Sequence, residues 1–330
     1  MHDKHNEADG LFSKAWQAST MEPSYLSSHK NGTLALRIEQ ALHGLQSCEL
    51  CPRRCCVDRT AGQSGICKTG RNTIVASFAP HFGEEAPLTG RYGSGTIFFS
   101  NCNLNCVFCQ NFDISHKGEG KEVTPSQLAG MMLELQKKRV HNINLVSPTH
   151  VVPQILEALP EAIDGGLNIP LVYNTGGYDS VETLKLLDGI VDIYMPDIKF
   201  TSDIPALFYC TAPDYPQVAQ DALREMHRQV GVLQLNSHGH AMRGMLVRHL
   251  VMPDGLAGTQ KAMHFLADEL SADTYVNIMD QYHPCGDIKQ FKELQRPVTP
   301  EEIEEALSAA RAAGLSRIDN RERPILMHWR

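Results

Sequence analysis

Cys102-Asn103-Leu104-Asn105-Cys106-Val107-Phe108-Cys109 is the stretch on which the reading of this chain turns. Three cysteines fall within eight residues, directly after the apolar run Gly95-Thr96-Ile97-Phe98-Phe99-Ser100. Thiolate loops of this kind hold iron–sulfur clusters, which commonly take four cysteines. Three sulfurs leave one iron open, and an open metal position is where a substrate or cofactor can bind and react.

Outward from the loop, apolar strand-like runs recur at Thr96–Phe99, Ile143–Val146, Leu171–Tyr173, Val191–Met195, Met245–Val251 and Tyr275–Met279. Helix-like stretches separate them near 124–138, 151–160, 180–188, 216–230 and 258–270, with start signals such as Thr124-Pro125 and Ser180 ahead of Glu182. The alternation predicts an α/β fold: a parallel sheet covered by helices, either open and doubly wound or closed toward a barrel. Both architectures place ligands at the C-terminal ends of the strands. Polar residues and glycines gather at those ends. Ser147-Pro148-Thr149-His150 follows the second strand, Asn174-Thr175-Gly176-Gly177-Tyr178 the third and Pro196-Asp197-Ile198-Lys199 the fourth. Arg248-His249 lies in the fifth strand, and Asp280-Gln281-Tyr282-His283 follows the sixth. One such end is ordinarily a loop or a cap; six converging ends, one with three cysteines, predict a shared site.

Upstream stands a second group, Cys48-Glu49-Leu50-Cys51-Pro52-Arg53-Arg54-Cys55-Cys56, with Cys67 further on. Four of these sulfurs (Cys48, Cys51, Cys55 and Cys67) can close a zinc site or ligate an auxiliary iron–sulfur cluster. The pattern decides neither the metal nor whether Cys55 or Cys56 ligates. Only Cys210 and Cys285 lie outside the two groups. In a chain of 330 residues without an apolar leader, such cysteines favour metal binding over a disulfide framework.

Composition narrows the class. Hydrophobic residues at 42% and charged residues at 21% are ordinary globular values. A formal charge of −8 argues against a nucleic-acid-binding surface. No apolar run is long enough for a membrane span, and a cytoplasmic location is expected. The expected organisation is a polar, flexible arm over 1–32 with a short helix at 10–18, a cysteine-rich extension over 33–74 opening with a helix near 33–45, a barrel over 75–290, and a C-terminal helix and tail over 291–330. That last helix starts after Thr299-Pro300-Glu301-Glu302, and the tail 317–330 is expected to add a strand. His81-Phe82-Gly83-Glu84-Glu85 reads as a solvated loop, within reach of the barrel mouth.

The C-x-x-x-C-x-x-C loop after a first strand, heading six β/α units, resembles the radical S-adenosylmethionine (radical SAM) superfamily. More narrowly the chain is similar to pyruvate formate-lyase activating enzymes and their uncharacterised homologues, over roughly 75–290. The resemblance implies a partial (β/α)6 TIM-like barrel. It implies that Cys102, Cys106 and Cys109 hold a [4Fe-4S] cluster whose open iron is chelated by SAM. Reductive cleavage of SAM then gives a 5′-deoxyadenosyl radical, which abstracts hydrogen from a substrate. Phe108 matches the aromatic position near the adenine. Asp197 and Lys199 resemble the pair that serves the SAM carboxylate and a monovalent cation, to which Asn174 and Thr175 add oxygens. Gly176 and Gly177 would let backbone approach the cofactor. Arg248 resembles the strand-five arginine suited to the SAM carboxylate, and His283, in Tyr282-His283, a residue facing cofactor or substrate.

Many relatives carry Gly-Gly-Glu after the second strand, where it holds the SAM amino group; here Ser147 and Thr149 offer the nearest oxygens. The extra cysteines precede the radical motif, whereas activating enzymes with additional clusters place theirs after it. The implied partners are an electron donor such as flavodoxin or ferredoxin and a protein substrate, a glycyl-radical enzyme or a peptide. A small metabolite is the alternative substrate. A non-catalytic iron–sulfur or zinc protein, sensing redox state or scaffolding a partner, is the reading from another class.

Overall fold

The computed structural model describes residues 21–319. The expected helix at 10–18 and the tail beyond 319 lie outside them. Among the described residues nine strands make the sheets: β1 Thr73–His81, β2 Ser94–Phe99, β3 Lys121–Val123, β4 Ile143–Val146, β5 Leu171–Thr175, β6 Ile193–Pro196, β7 Gln234–Leu235, β8 Ala241–Leu250 and β9 Tyr275–Met279. Six of them run parallel in the order β2-β4-β5-β6-β8-β9. This is the α/β architecture the alternation predicted. The parallel set does not close on itself: β2 turns its free edge to antiparallel β1, which pairs β3, while β9 is joined to β8. The β1–β3 flank and the short β7 lie outside the six-unit pattern.

The helices take their places from short-range chemistry. Helix Pro125–Lys137 starts with a capping box in which Thr124 and Gln127 satisfy each other's backbone. Helix Pro300–Ala312 repeats the device with Thr299 and Glu302. Between them, Val152–Asp164, Val181–Leu186, Tyr215–Val230 and Thr259–Phe265 cover the sheet near their predicted spans. Helix Asp203–Cys210, after β6, was not predicted, because Ile204, Leu207 and Phe208 face solvent and blur its apolar period.

Alternation along each strand sorts side chains between two faces. Ile97, Leu145, Tyr173, Tyr194, Met245 and Val247 share the main core with helix residues Leu128, Met132, Leu156, Leu159 and Leu223. The opposite face holds a smaller cluster of Val172, Ile193, Met195 and Leu246, plugged by Leu88 from the short helix Ala86–Thr89.

Two expectations need correction. The polar arm does not reach residue 32, because Ser24–Lys30 is helical. Its Tyr25 is buried and donates its hydroxyl to Ile169 O at 2.9 Å, and Ser24 N donates to Asp192 at 2.8 Å. Glu84 and Glu85 are not solvated: both are buried, and Glu85 Oε1 accepts from Asn277 Nδ2 of β9 at 2.7 Å. A loop can bury two carboxylates where partners wait: His81 Nδ1 lies 3.0 Å from Glu84, and Arg248 offsets part of the burial cost that raises Glu85. The tail contributes a single parallel bridge, Ile318 on Val276, among the described residues.

Candidate active site

The C-terminal ends of the parallel strands bring several of the predicted residues into one mouth. After β2 the chain passes Ser100 and Asn101, the latter at φ 70°, and enters the cysteine loop. Ser100 O is held by His150 Nε2 at 3.0 Å, so the segment after β4 positions the loop after β2. Burial holds His150 near pKa 4 and therefore neutral, which suits a donor to a carbonyl. Asn103 Nδ2 donates to Tyr178 O at 2.6 Å, tying the loop to the end of β5 as well.

Each loop sulfur has at least one polar neighbour. Leu104 N donates to Cys102 Sγ at 3.4 Å, Ser115 Oγ to Cys109 Sγ at 3.2 Å, and Cys106 Sγ lies 3.2 Å from Cys210 Sγ. Burial pushes the Cys102 thiol up to about 12, with the nearby sulfurs of Cys106 and Cys109 adding to it. Cys106 is raised first by its contact with Cys210 and then by burial; Cys109 is raised by burial. Without a cation these sulfurs keep their protons, and iron would remove them. Among the described residues, no three His, Cys, Asp or Glu side chains are drawn tightly enough to enclose an ion as they stand. The donor chemistry nonetheless fits a cluster: three soft sulfurs on one loop, an N–H and an O–H aimed at two of them, and the positive charge of Lys199 felt by all three.

Across the mouth stands a buried polar chain. Asp197 receives Lys199 Nζ on one oxygen at 2.5 Å and Arg248 Nε on the other at 2.8 Å. Arg248 Nη2 reaches Asn174 Oδ1 at 2.6 Å. Burial raises the Asp197 carboxyl, but the two cations outweigh it and hold it below the usual carboxylate range. Burial lowers Lys199 and Arg248, and Asp197 more than restores them, so both stay charged. The register explains the meeting, because Asp197 and Arg248 bridge directly between neighbouring strands. The oxygens of Asn174 and Asp197, expected to face a monovalent cation, accept from cationic groups of the chain itself.

The remaining predicted residues divide. Gly177, at φ 80°, leaves no room for a Cβ, which would sit 2.3 Å from Asp197 O; Gly176 lies against Leu104 and Lys199. Phe108 is buried, edge-on to Phe200 at 5.9 Å. Thr149 and Thr175 point their hydroxyls at Asp179 (2.7 and 2.6 Å), which also accepts from Tyr173, on the helix side of the sheet. Ser147 takes a left-handed backbone, φ 58°, and its N–H goes to Asn174 O. His283 is exposed, with Nδ1 on Gln281 O at 3.2 Å, and the Tyr282 hydroxyl is spent on Leu294 O.

The N-terminal cysteines lie against this mouth. Burial raises the Cys51 thiol to about 12, and the sulfurs of Cys67, Cys48 and Cys55 add to the rise. Cys56 is exposed, its sulfur on Glu49 and Arg54 O. Arg53, between Cys51 and Cys55, donates to Asn103 O, Cys210 O and Thr211 O and lies 5.1 Å over the Tyr178 ring. Arg59 is buried and links Gly70 O to His150 O. Sequence reasoning missed Arg53, Arg59, Asp179, Cys210 and Cys285, whose Sγ lies 3.3 Å from Phe108 O. The cysteine count alone flagged the last two.

This arrangement, a three-cysteine loop facing a Lys–Asp–Arg chain at the strand ends, defines the class. The radical SAM superfamily model matches residues 96–239. An uncharacterised protein of Methanocaldococcus jannaschii is 31% identical over 299 residues, 88% of this chain and 81% of the relative. The chain belongs to the radical SAM superfamily. Two solved structures overlap it in part: a radical SAM methyltransferase from Sphaerobacter thermophilus (TM-score 0.46, 15% identity, 67% of this chain and 64% of that one) and native anSMEcpe with bound AdoMet (TM-score 0.44, 11% identity, 64% and 57%). The chain spans less than two thirds of either structure's length. Among the described residues no helix is long and apolar enough to cross a membrane.

Proposed function

We propose that Cys102, Cys106 and Cys109 hold a [4Fe-4S] cluster and that the chain binds SAM against it to abstract hydrogen from a substrate. The observation that carries this reading is the three-cysteine loop at the strand ends together with the Lys199–Asp197–Arg248 chain at the same ends. When bound, the two groups supply a primary carbon radical, and the rest falls to the chain. Lys199 and Arg248 supply positive charge to a carboxylate. Asp197 fixes both cations, so they are oriented before the ligand arrives. Phe108 and Phe200 form an apolar wall that excludes water. Gly176, with no side chain, leaves its backbone open beside Leu104 and Lys199.

For the substrate we favour a glycyl residue of a partner protein, in the manner of the activating enzymes that Met195-Pro196-Asp197-Ile198-Lys199 and Arg248 resemble. Anaerobic loading with iron and sulfide, followed by dithionite and SAM, should release 5′-deoxyadenosine. A fully loaded protein that releases none would end the radical reading. A glycyl-radical signal by electron paramagnetic resonance in a partner co-purified from the native host would support the activating role. Turnover with a peptide or metabolite, and no such partner, would replace it.

A further inference from the structure

Cys210 and Ser115 lie outside the motif, yet each meets a loop sulfur at hydrogen-bond distance. Cys210 closes helix Asp203–Cys210 after β6 and is fully buried. Its place is fixed twice. Thr211, at φ 52°, caps the helix behind it, and Arg53 clamps the carbonyls of Cys210 and Thr211. The sulfur then meets Cys106 Sγ at 3.2 Å. Ser115 comes from the short helix Phe112–Ser115. Its hydroxyl donates to Cys109 Sγ at 3.2 Å and lies 2.8 Å from His116 Nδ1, which must then donate to it. With Leu104 N on Cys102, every loop sulfur has a hydrogen-bond partner.

We propose that Cys210 and Ser115 are positioning residues that set the reduction potential of the cluster held by this loop, an inference that rests on the cluster reading above. A ligating Cys106 is a thiolate, so the hydrogen shared by the sulfur pair comes from Cys210. A hydrogen bond to a ligating sulfur stabilises the more negative, reduced cluster and raises its potential. Three donors on three sulfurs make reduction easier in a buried site, where burial alone opposes added negative charge.

The test is a potentiometric titration of the anaerobically loaded full chain, followed by paramagnetic resonance of the reduced cluster, with iron counted per chain. Cys210→Ala and Ser115→Ala should each keep four irons and cut the reduced-to-oxidised ratio at a fixed potential about tenfold, or ~59 mV for one electron. Cys210→Ser keeps a donor and should stay within about threefold of the parent. Potentials unchanged in both alanine variants, with iron retained, overturn the inference. Loss of iron from Cys210→Ala also overturns it, because Cys210 would then be a ligand. A parent chain that takes up no cluster fails at the earlier step and brings down the proposed function itself.

Discussion

Strand β6 is bounded by two buried aspartates that the fold treats in opposite ways. Asp192, at its N-terminal end, accepts the backbone amides of Ser24 and Leu171, which anchors helix Ser24–Lys30 to the barrel floor. Burial outweighs these amides and lifts its carboxyl to about 6. Asp197, at the C-terminal end, is equally enclosed, yet Arg248 and Lys199 hold its carboxyl low. One end of the strand tolerates a costly carboxylate to fix architecture. The other supports its carboxylate with two cations and thereby fixes their positions. The difference separates a structural floor, plugged by Leu88 and its apolar neighbours, from a chemical mouth.

Variants at the two ends should therefore fail in different ways. The largest effect is expected from Cys106→Ala at the mouth: loss of the iron–sulfur absorbance and of 5′-deoxyadenosine release, with the chain still folded by circular dichroism. Next is Arg248→Ala, which leaves Asp197 with one cation and Asn174 without its donor. Breaking a buried pair from one side costs roughly 3–5 kcal/mol, read in urea unfolding, and SAM binding should be lost with it. Leu88→Ala, on the floor, should cost about 2–5 kcal/mol while iron per folded chain stays at the parent level. An equal loss of iron would dissolve the distinction between the ends.

The two aspartates also carry opposite pH signatures. The folded state raises Asp192 above its unfolded value, so its contribution to stability falls as pH rises from about 4 toward 6. Asp192→Asn should remove that fall, worth roughly 3 kcal/mol at most, in unfolding curves across the window. Asp197 is depressed, so its contribution is complete above the ordinary carboxylate range and is lost only as pH falls through its lower folded value. The smallest effect is expected at Cys56→Ser, because that sulfur is exposed: metal content and stability should not change. Cys55→Ser should lower any metal bound by the extension, and metal analysis of the two variants separates the neighbours.

Much of the fold was legible because each β/α unit repeats the same local signals. Apolar runs end in glycine or polar residues, and Thr124 and Thr299 mark helix starts that the structure uses as capping boxes. Less of the site was legible. Thr149 and Thr175 read as ligands in sequence, since a hydroxyl at a strand end looks the same whichever face it takes. Asp179, only a few residues beyond Thr175, claims both. Glu85 read as solvated because nothing local announces that Asn277, far along the chain, will meet it.

The sequence by itself determined the six-unit alternation, the cysteine loop and its place after the first parallel strand, because these depend on local periodicity and on ligand types at fixed short spacings. Only the tertiary structure decided which groups face one another. Strand register, not proximity in the chain, joined Asp197 to Arg248. Helix and loop docking brought Arg53 to Asn103 and Cys210 to Cys106, across separations on which local propensity is silent. Of the three loop sulfurs only Cys106 took its polar neighbour from such docking; Cys102 and Cys109 found theirs within a few residues.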